Sequence, residues 1–139
     1  MIILDTNVAS EPMTVHCDPA VTAWFDRQRT NTLCITAINL AELMFGIALL
    51  REGRRKQGMV LALIALRNRI SGTILPFDED AAKAYSELMT RTRSRGQALS
   101  QPDGQIAAIA TVHGFAVATR DVAPFVAAGV RVINPWQEI

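Results

Sequence analysis

A parallel α/β sheet with helices on both faces is the fold this sequence predicts, on three observations. Short apolar runs of strand length alternate with segments of helical period, the pattern of β–α–β units joined by right-handed crossovers. The opening run Met1-Ile2-Ile3-Leu4 is apolar throughout, as suits a strand covered on both faces. That run passes directly into Asp5-Thr6-Asn7, polar residues at the carboxyl end of the strand, where open α/β sheets gather their ligands. At 139 residues, 50% of them hydrophobic, the chain fits a single domain over residues 1–139 with a full aliphatic core.

In chain order, Asp5 to Glu11 reads as a short polar helix or turn stopped by Pro12, and 14–19 as a loop. Pro19 suits the first turn of a helix to about Gln28, with Val21, Trp24 and Phe25 on one face. A second strand covers Thr32 to Thr36. Thr36 can then cap a helix from Ala37 to about Arg51. Two apolar stripes on that helix, Leu40/Leu43/Met44/Ile47 and Ile38/Phe45/Leu49, predict burial on both sides or sharing with a partner subunit. Gly53 and Arg54-Arg55-Lys56 mark a break. A further helix follows to about Ile70, carrying Val60, Leu61, Leu63, Ile64 and Leu66 and ended by Ser71-Gly72. Thr73 to Leu75 is a third strand, closed by Pro76. Asp78 caps an amphipathic helix with Ala81, Ala84, Tyr85, Leu88 and Met89 on one face. Its acids at the start and Arg91, Arg93 and Arg95 at the end match the helix dipole, so Asp78, Glu79 and Asp80 read as structural. Ser100-Gln101-Pro102-Asp103 opens a helix to His113-Gly114. Phe115 to Thr119 is a strand, 122–127 a short helical segment and Val130 to Ile133 the last strand, before Asn134-Pro135-Trp136.

The net charge is +1, from 14 Lys and Arg against 13 Asp and Glu, which neither requires nor excludes nucleic acid. The bases cluster at 51–56, at Arg67 and Arg69, and at Arg91, Arg93 and Arg95, a placement that can rim an acidic centre and that solvated helix ends also produce. No run has the length of a secretory h-region or a membrane span, so a soluble cytoplasmic protein is expected. Cys17 and Cys34 lack metal-ligand spacing and are too few for a disulfide scaffold. Both are expected to pack as small apolar residues.

Four acids stand out. Asp5 and Asp121 follow strands at the carboxyl end, although either could cap the helix that follows. Glu42 falls in an apolar stripe, four residues after Ile38 and three before Phe45. A carboxylate there needs a cation, a metal or an opening to water. Asp103 begins a helix, and topology alone leaves it either at the site or as the N3 partner of a Ser100 capping box. Clustered carboxylates raise one another's pKa, a cost that a hard divalent cation removes. Mg²⁺ prefers oxygen ligands, keeps several waters and can activate water for in-line displacement at phosphorus. No nucleophile–base set competes, since His16 lies in a loop and His113 at a helix end. Gly46, Gly53 and Gly58 make no nucleotide fingerprint.

Four motifs, in this order and at these spacings, resemble the PIN-domain ribonucleases, in particular the VapC/FitB toxins of bacterial toxin–antitoxin pairs. They are Ile3-Leu4-Asp5-Thr6-Asn7, Leu40-Ala41-Glu42-Leu43 with Gly46 after it, Asp103-Gly104-x-Ile106-Ala107, and Ala118-Thr119-Arg120-Asp121. The ending Asn134-Pro135-Trp136 is similar to the FitB branch. The resemblance covers nearly the whole chain; each motif is weak alone, and the set is specific. It implies a five-stranded parallel sheet between helices and a metal-dependent endoribonuclease. It implies that Asp5, Glu42, Asp103 and Asp121 face one Mg²⁺ or Mn²⁺ site that cuts single-stranded or structured RNA, tRNA among the candidates. Asp5, Glu42 and Asp103 would be the main ligands. Asp121, where many relatives carry Asn, would bind through water or hold a second ion. Thr6, Asn7 and Thr119 are implied to orient carboxylates or water. The implied partners are RNA, a second copy of the chain in a homodimer, and a small antitoxin that often inserts an arginine near the acids. Arg54, Arg55, Lys56, Arg93, Arg95 and Arg120 are the candidates for holding RNA. Three alternatives stand beside this reading. One is a PIN nuclease of RNA maturation. Another is an inactive PIN fold that only binds RNA or protein, against which the four intact acids argue. The third is a phosphotransfer enzyme with Asp5 as nucleophile, disfavoured by Asn7 and by the lack of a positioned lysine.

Overall fold

The computed structural model describes residues 1–70 and 72–138, so the helix stop expected at Ser71 lies outside the described residues. Strands β1 (Ile2–Leu4), β2 (Leu33–Thr36), β3 (Ile74–Leu75), β4 (Ala116–Ala118) and β5 (Val132–Ile133) form a 5-stranded sheet in the order β3-β2-β1-β4-β5. Every pairing is parallel. Helices α1 (Thr6–Ser10), α2 (Pro19–Arg27), α3 (Ala37–Ala48), α4 (Arg54–Arg69), α5 (Glu79–Ser94), α6 (Gln101–His113) and α7 (Val122–Ala127) connect and cover them.

Side chains alternate across each strand, and the two faces build two cores. Ile3, Cys34 and Val117 pack against Leu88 of α5, Ile106 and Ile109 of α6 and Phe125 of α7. Leu4, Leu33, Ile35 and Ala118 pack against Val8 of α1, Trp24 and Phe25 of α2, Leu43 of α3 and Leu66 of α4. This is the expected three-layer arrangement, and it explains why the opening strand is apolar at consecutive positions. Each fully buried Ile or Leu in it contributes about 1.5–3 kcal/mol.

The strand order fixes where the site must lie. From β1 the chain winds outward through β2 and β3, then crosses back to place β4 on the other side of β1. The winding direction therefore reverses between β1 and β4, and a crevice opens beyond their carboxyl ends. Leu4 is paired with Ala118 there, and the Asp5 N–H donates to the Ala118 carbonyl at 2.9 Å.

Three sequence expectations are corrected. Of the two outcomes expected for α3, burial on both sides within the chain is not met, which leaves sharing with a partner: Asn39, Leu43 and Ile47 are buried, whereas Met44 is exposed and Phe45 and Leu49 are 62% and 71% exposed. The sheet, α1, α4 and α6 pack against α3, with Ile38 against the core of α5 and α6, while Met44, Phe45 and Leu49 stay uncovered among the described residues. Arg54-Arg55-Lys56 is not a break but the first turn of α4. The break is Gly53, whose φ of 148° few other residues adopt. Along α4, Leu66 is buried, and Val60, Leu61 and Ile64 are exposed. Cys34 sits in the core, where burial pushes its thiol up to about 11. Cys17 is half-buried beside the Thr22 hydroxyl, 3.1 Å away, rather than packed in a core. Among the described residues no helix is long and apolar enough to cross a membrane.

Candidate active site

Asp5 ends β1 and caps α1. It is 6% exposed, the one buried carboxylate among the described residues. Oδ1 accepts the Thr6 N–H at 2.8 Å, and Oδ2 accepts the Thr119 hydroxyl at 2.7 Å. Thr119 Oγ1 itself accepts the Asp121 N–H at 3.1 Å. A backbone N–H can only donate, so the hydroxyl's own proton is committed to Asp5. Asn7 is oriented by the same logic. Its Oδ1 accepts the Arg120 N–H at 3.1 Å, which turns Nδ2 toward Asp5 Oδ2 at 3.4 Å and Thr119 at 3.5 Å. Capping and a site role are thus compatible, because separate oxygens serve α1 and β4.

Glu42 lies on α3, beyond the capping turn at the end of β2. The sequence places it in an apolar stripe, of which Ile38 packs against the core while Phe45 and Leu49 are exposed, and Glu42 opens to solvent. Its Oε1 accepts the Thr6 hydroxyl at 2.9 Å, and Thr6 Oγ1 accepts from Asn39 Nδ2 at 3.2 Å. Asn39 is fully buried and reciprocally caps α3 with Thr36. This residue was not among the sequence candidates. Its signal was the spacing Thr36-x-x-Asn39, a capping box with Asn in place of the usual Glu or Gln.

Asp103 is half-buried in the first turn of α6, where its N–H donates to Ser100 Oγ at 3.3 Å. Gly104, next to it, sits hard against α5. A Cβ there would meet Met89 Sδ at 2.6 Å and Tyr85 Cε2 at 3.0 Å, so glycine sets how closely the first turn of α6 approaches α5. Asp121 is exposed and precedes α7 without capping it, contrary to the capping alternative.

The four acids are coupled by charge. Burial raises the Asp5 carboxyl above its ordinary range. Thr119 and Thr6 pull it back, and the charges of Asp103 and Glu42 push it further up. Asp103 is likewise raised, chiefly by burial, lowered by Ser100 and raised again by Asp121. The ion pairs among the described residues, Lys56–Glu52 and Arg69–Asp26, include none of these acids. No three acidic, His or Cys side chains among the described residues sit at the spacing of a ready-made metal cage. The donor set is all oxygen and no ion pair among the described residues compensates it, which is the chemistry a hard divalent cation takes.

The basic candidates divide. Arg55 lines a cleft of about 270 Å³ with Thr6, Glu42, Gly46, Leu50 and Met59. Arg120 follows β4, and its guanidinium lies 5.0 Å from the centre of the Trp136 ring. Trp136 is set in turn by Asn134, whose Oδ1 accepts the Trp136 N–H at 3.0 Å. The ending Asn134-Pro135-Trp136 thus builds a support for Arg120, which sequence reasoning did not foresee. Lys56 is tied to Glu52 at 2.7 Å. Arg93 lines a separate cavity of about 470 Å³ with Tyr85, Met89 and Leu99. Arg54 and Arg95 are exposed at helix ends, and no contact brings either to the acids.

Fold and site together define an α/β protein with neighbouring acids at the switch point of a parallel sheet. The model of the PIN domain matches residues 2–129, and the chain belongs to the PIN domain family. It is 46% identical over 144 residues to a Sinorhizobium fredii protein named VapC ribonuclease Y4jK, covering 99% of each chain. It is 40% identical over 139 residues to Toxin FitB of Neisseria gonorrhoeae, covering 99% of this chain and 100% of that one. The crystal structure of FitAcB from Neisseria gonorrhoeae superposes with a TM-score of 0.93 at 40% identity, over 99% of this chain and 100% of that one.

Proposed function

We propose that the chain is a metal-dependent endoribonuclease acting as the toxin of a toxin–antitoxin pair. The observation that carries this reading is the uncompensated set Asp5, Glu42, Asp103 and Asp121, coupled by charge at the crevice of a PIN fold. The names of the relatives, VapC ribonuclease and Toxin FitB, support it. Asp5, Glu42 and Asp103 would hold Mg²⁺ or Mn²⁺, with Asp121 acting through water or on a second ion. Such an ion, when bound, polarises a phosphodiester and lowers the pKa of a coordinated water. The chain's own residues do the rest. Thr119, just past the end of β4, and Asn7 of α1 fix Asp5, and Thr6 fixes Glu42. Arg55 beside Glu42 and Arg120 beside Asp121 are the bases best placed to hold phosphates of a single-stranded or structured RNA.

The exposed apolar residues Met44 and Phe45 of α3, Leu49 at its end, and Leu61 and Ile64 of α4 suit a protein that is covered in the cell, as a homodimer and by a small cytoplasmic antitoxin. The nuclease reading is tested by Asp5→Asn. Mg²⁺-dependent RNA cleavage should disappear while the circular dichroism of the folded protein persists, and undiminished cleavage would sink the assignment. The toxin reading is tested by expression with and without the small reading frame upstream. Growth arrest relieved by co-expression is the expected result, whereas cleavage without arrest would favour a nuclease of RNA maturation.

A further inference from the structure

Asn39 stands behind Thr6, and counting donors and acceptors fixes what it does there. Its Oδ1 accepts the Thr36 N–H at 3.0 Å and the Thr36 hydroxyl at 2.7 Å. Because a backbone N–H only donates, the amide oxygen must face Thr36 and the NH₂ group must face Thr6 Oγ1. The NH₂ group has only protons to give. Thr6 Oγ1 therefore accepts from it, and the single hydroxyl proton goes to Glu42 Oε1. The polarity of the whole relay, from Thr36 through Asn39 and Thr6 to Glu42, is thus set by the end of β2. Capping α3 uses only the oxygen of Asn39 and the hydroxyl of Thr36, which accepts the Asn39 N–H at 3.1 Å. The NH₂ end is surplus to capping, and it is the end aimed at the site.

We propose that Asn39 is a positioning residue for Glu42. By filling the acceptor side of Thr6 it commits the Thr6 proton to Oε1, and so holds a solvent-exposed carboxylate that would otherwise sample many rotamers. Oε2, which accepts no hydrogen bond among the described residues, is left for a divalent cation or its water, a consequence that rests on the nuclease reading above.

Asn39→Asp discriminates this from a purely structural role. It keeps an oxygen toward Thr36 but replaces the donor facing Thr6 with an acceptor, drawing the Thr6 proton away from Glu42. Three quantities are measured at about pH 8 and again at about pH 9, because burial at this position raises a carboxyl's pKa and a protonated Asp could still donate to Thr6. They are Mn²⁺ binding without RNA, followed by water-proton relaxation; cleavage of a fluorogenic random-sequence single-stranded RNA; and thermal unfolding in chelator. Asn39→Asp and Thr6→Val should each weaken Mn²⁺ binding and cleavage by about tenfold or more. The double variant should be no worse than Thr6→Val, and Thr6→Ser should stay near wild type. A role confined to capping would move only the unfolding temperature. Wild-type Mn²⁺ binding in Asn39→Asp, or additive losses in the double variant, overturns the proposal. Should Asn39→Asp fail to fold, Thr6→Val decides alone, since it leaves the cap intact: wild-type Mn²⁺ binding there overturns the relay. Glu42→Gln separates the two levels. If that variant binds Mn²⁺ and cleaves RNA as wild type does, the nuclease reading of Glu42 fails. If it loses both while Asn39→Asp and Thr6→Val lose neither, only the relay fails.

Discussion

Asp5 and Glu42 are held by the same device in opposite settings. Each accepts a threonine hydroxyl, and each hydroxyl is polarised by a donor behind it. Behind Thr119 the donor is the Asp121 N–H, part of the backbone. Behind Thr6 it is the side chain of Asn39. The Asp5 arm is buried at the centre of the sheet, and the Glu42 arm reaches into solvent from a helix. Orientation of the buried carboxylate therefore comes with the fold, and every native molecule has it. Orientation of the exposed one depends on side chains that substitution can remove while the fold stands.

The largest effect expected from this contrast is at Asp5. Asp5→Asn should lower Mg²⁺-dependent cleavage by well over a hundredfold, beyond the roughly 10–100-fold typical of residues that only support a metal ligand. Its effect on stability has a defined pH dependence. The folded carboxyl titrates above its unfolded value of 3.8, so across that window the native state holds a proton that the unfolded chain has released. Metal-free stability attributable to Asp5 therefore falls as pH rises through the window, and a non-ionising Asn escapes the loss. In chelator, the melting temperature of Asp5→Asn minus that of wild type should be more positive at about pH 7 than at about pH 4. A difference independent of pH would mean that burial of Asp5 carries no electrostatic cost.

The matched pair Thr119→Val and Thr6→Val sharpens the comparison. Both should reduce cleavage about 10–100-fold. Thr119 is fully buried, so its valine leaves the Asp121 N–H and Asp5 Oδ2 short of a partner and should cost about 1–3 kcal/mol in denaturant titrations. Thr6 is half-buried at an open cleft, where water can replace the bond to Glu42 and reach the Asn39 NH₂ that donates to Thr6, so its valine should cost less than that of Thr119, about 1 kcal/mol. Equal stability losses would erase the distinction between the arms. Beside Asp103, Gly104→Ala tests placement by packing. Pressing a methyl group onto Met89 and Tyr85 should destabilise by about 1–3 kcal/mol and lower cleavage through a displaced Asp103.

The contrast between the arms also marks what could be read from the residues alone. The Asp5 arm was legible, because an apolar run ending in an acid records a buried strand and its exposed end in one dimension, and the family motifs named Thr119 and Asn7. The sheet and its layers were legible for the same reason: Ile3 and Leu4 face opposite cores, and both must be apolar. The Glu42 arm was legible only in part: an opening to water was one of the outcomes its stripe allowed, and burial within the chain was not the one realised. Helical periodicity reports which side chains share a face, not whether the chain supplies anything to cover it, so Phe45 and Leu49 suggested burial where the structure leaves them exposed. Asn39 was missed because a buried amide leaves no periodic signature; only its bonds to Thr36 and Thr6 reveal it. The Trp136 support for Arg120 depends on β5 returning beside β4, a contact between segments that no local pattern encodes.

Smaller effects belong to the bases. Arg120→Ala should raise the KM for single-stranded RNA several-fold with little change in Mn²⁺ binding, consistent with the loss of one phosphate contact, and a shallower salt dependence should accompany it. Trp136→Ala should act in the same direction by freeing the guanidinium, and Trp136→Phe should retain most of the cation–π contact. A change in Mn²⁺ affinity instead would place Arg120 among the acids rather than on the substrate.

The smallest effect is expected where the exposed arm meets its own charge. In chelator, Glu42→Gln should leave thermal stability unchanged or slightly raised. The Gln oxygen can still accept the Thr6 hydroxyl, so no hydrogen bond is lost, while the charge that pushes up the Asp5 carboxyl disappears. Solvent screening at this open position keeps the gain small. A clear destabilisation would mean that the ionised carboxylate supports the fold through its bond to Thr6, since a charged acceptor makes a stronger hydrogen bond than an amide. The two arms would then be alike, each a structural anchor first, and the Thr6–Asn39 relay would hold α1 to α3 rather than aim a carboxylate at a cation.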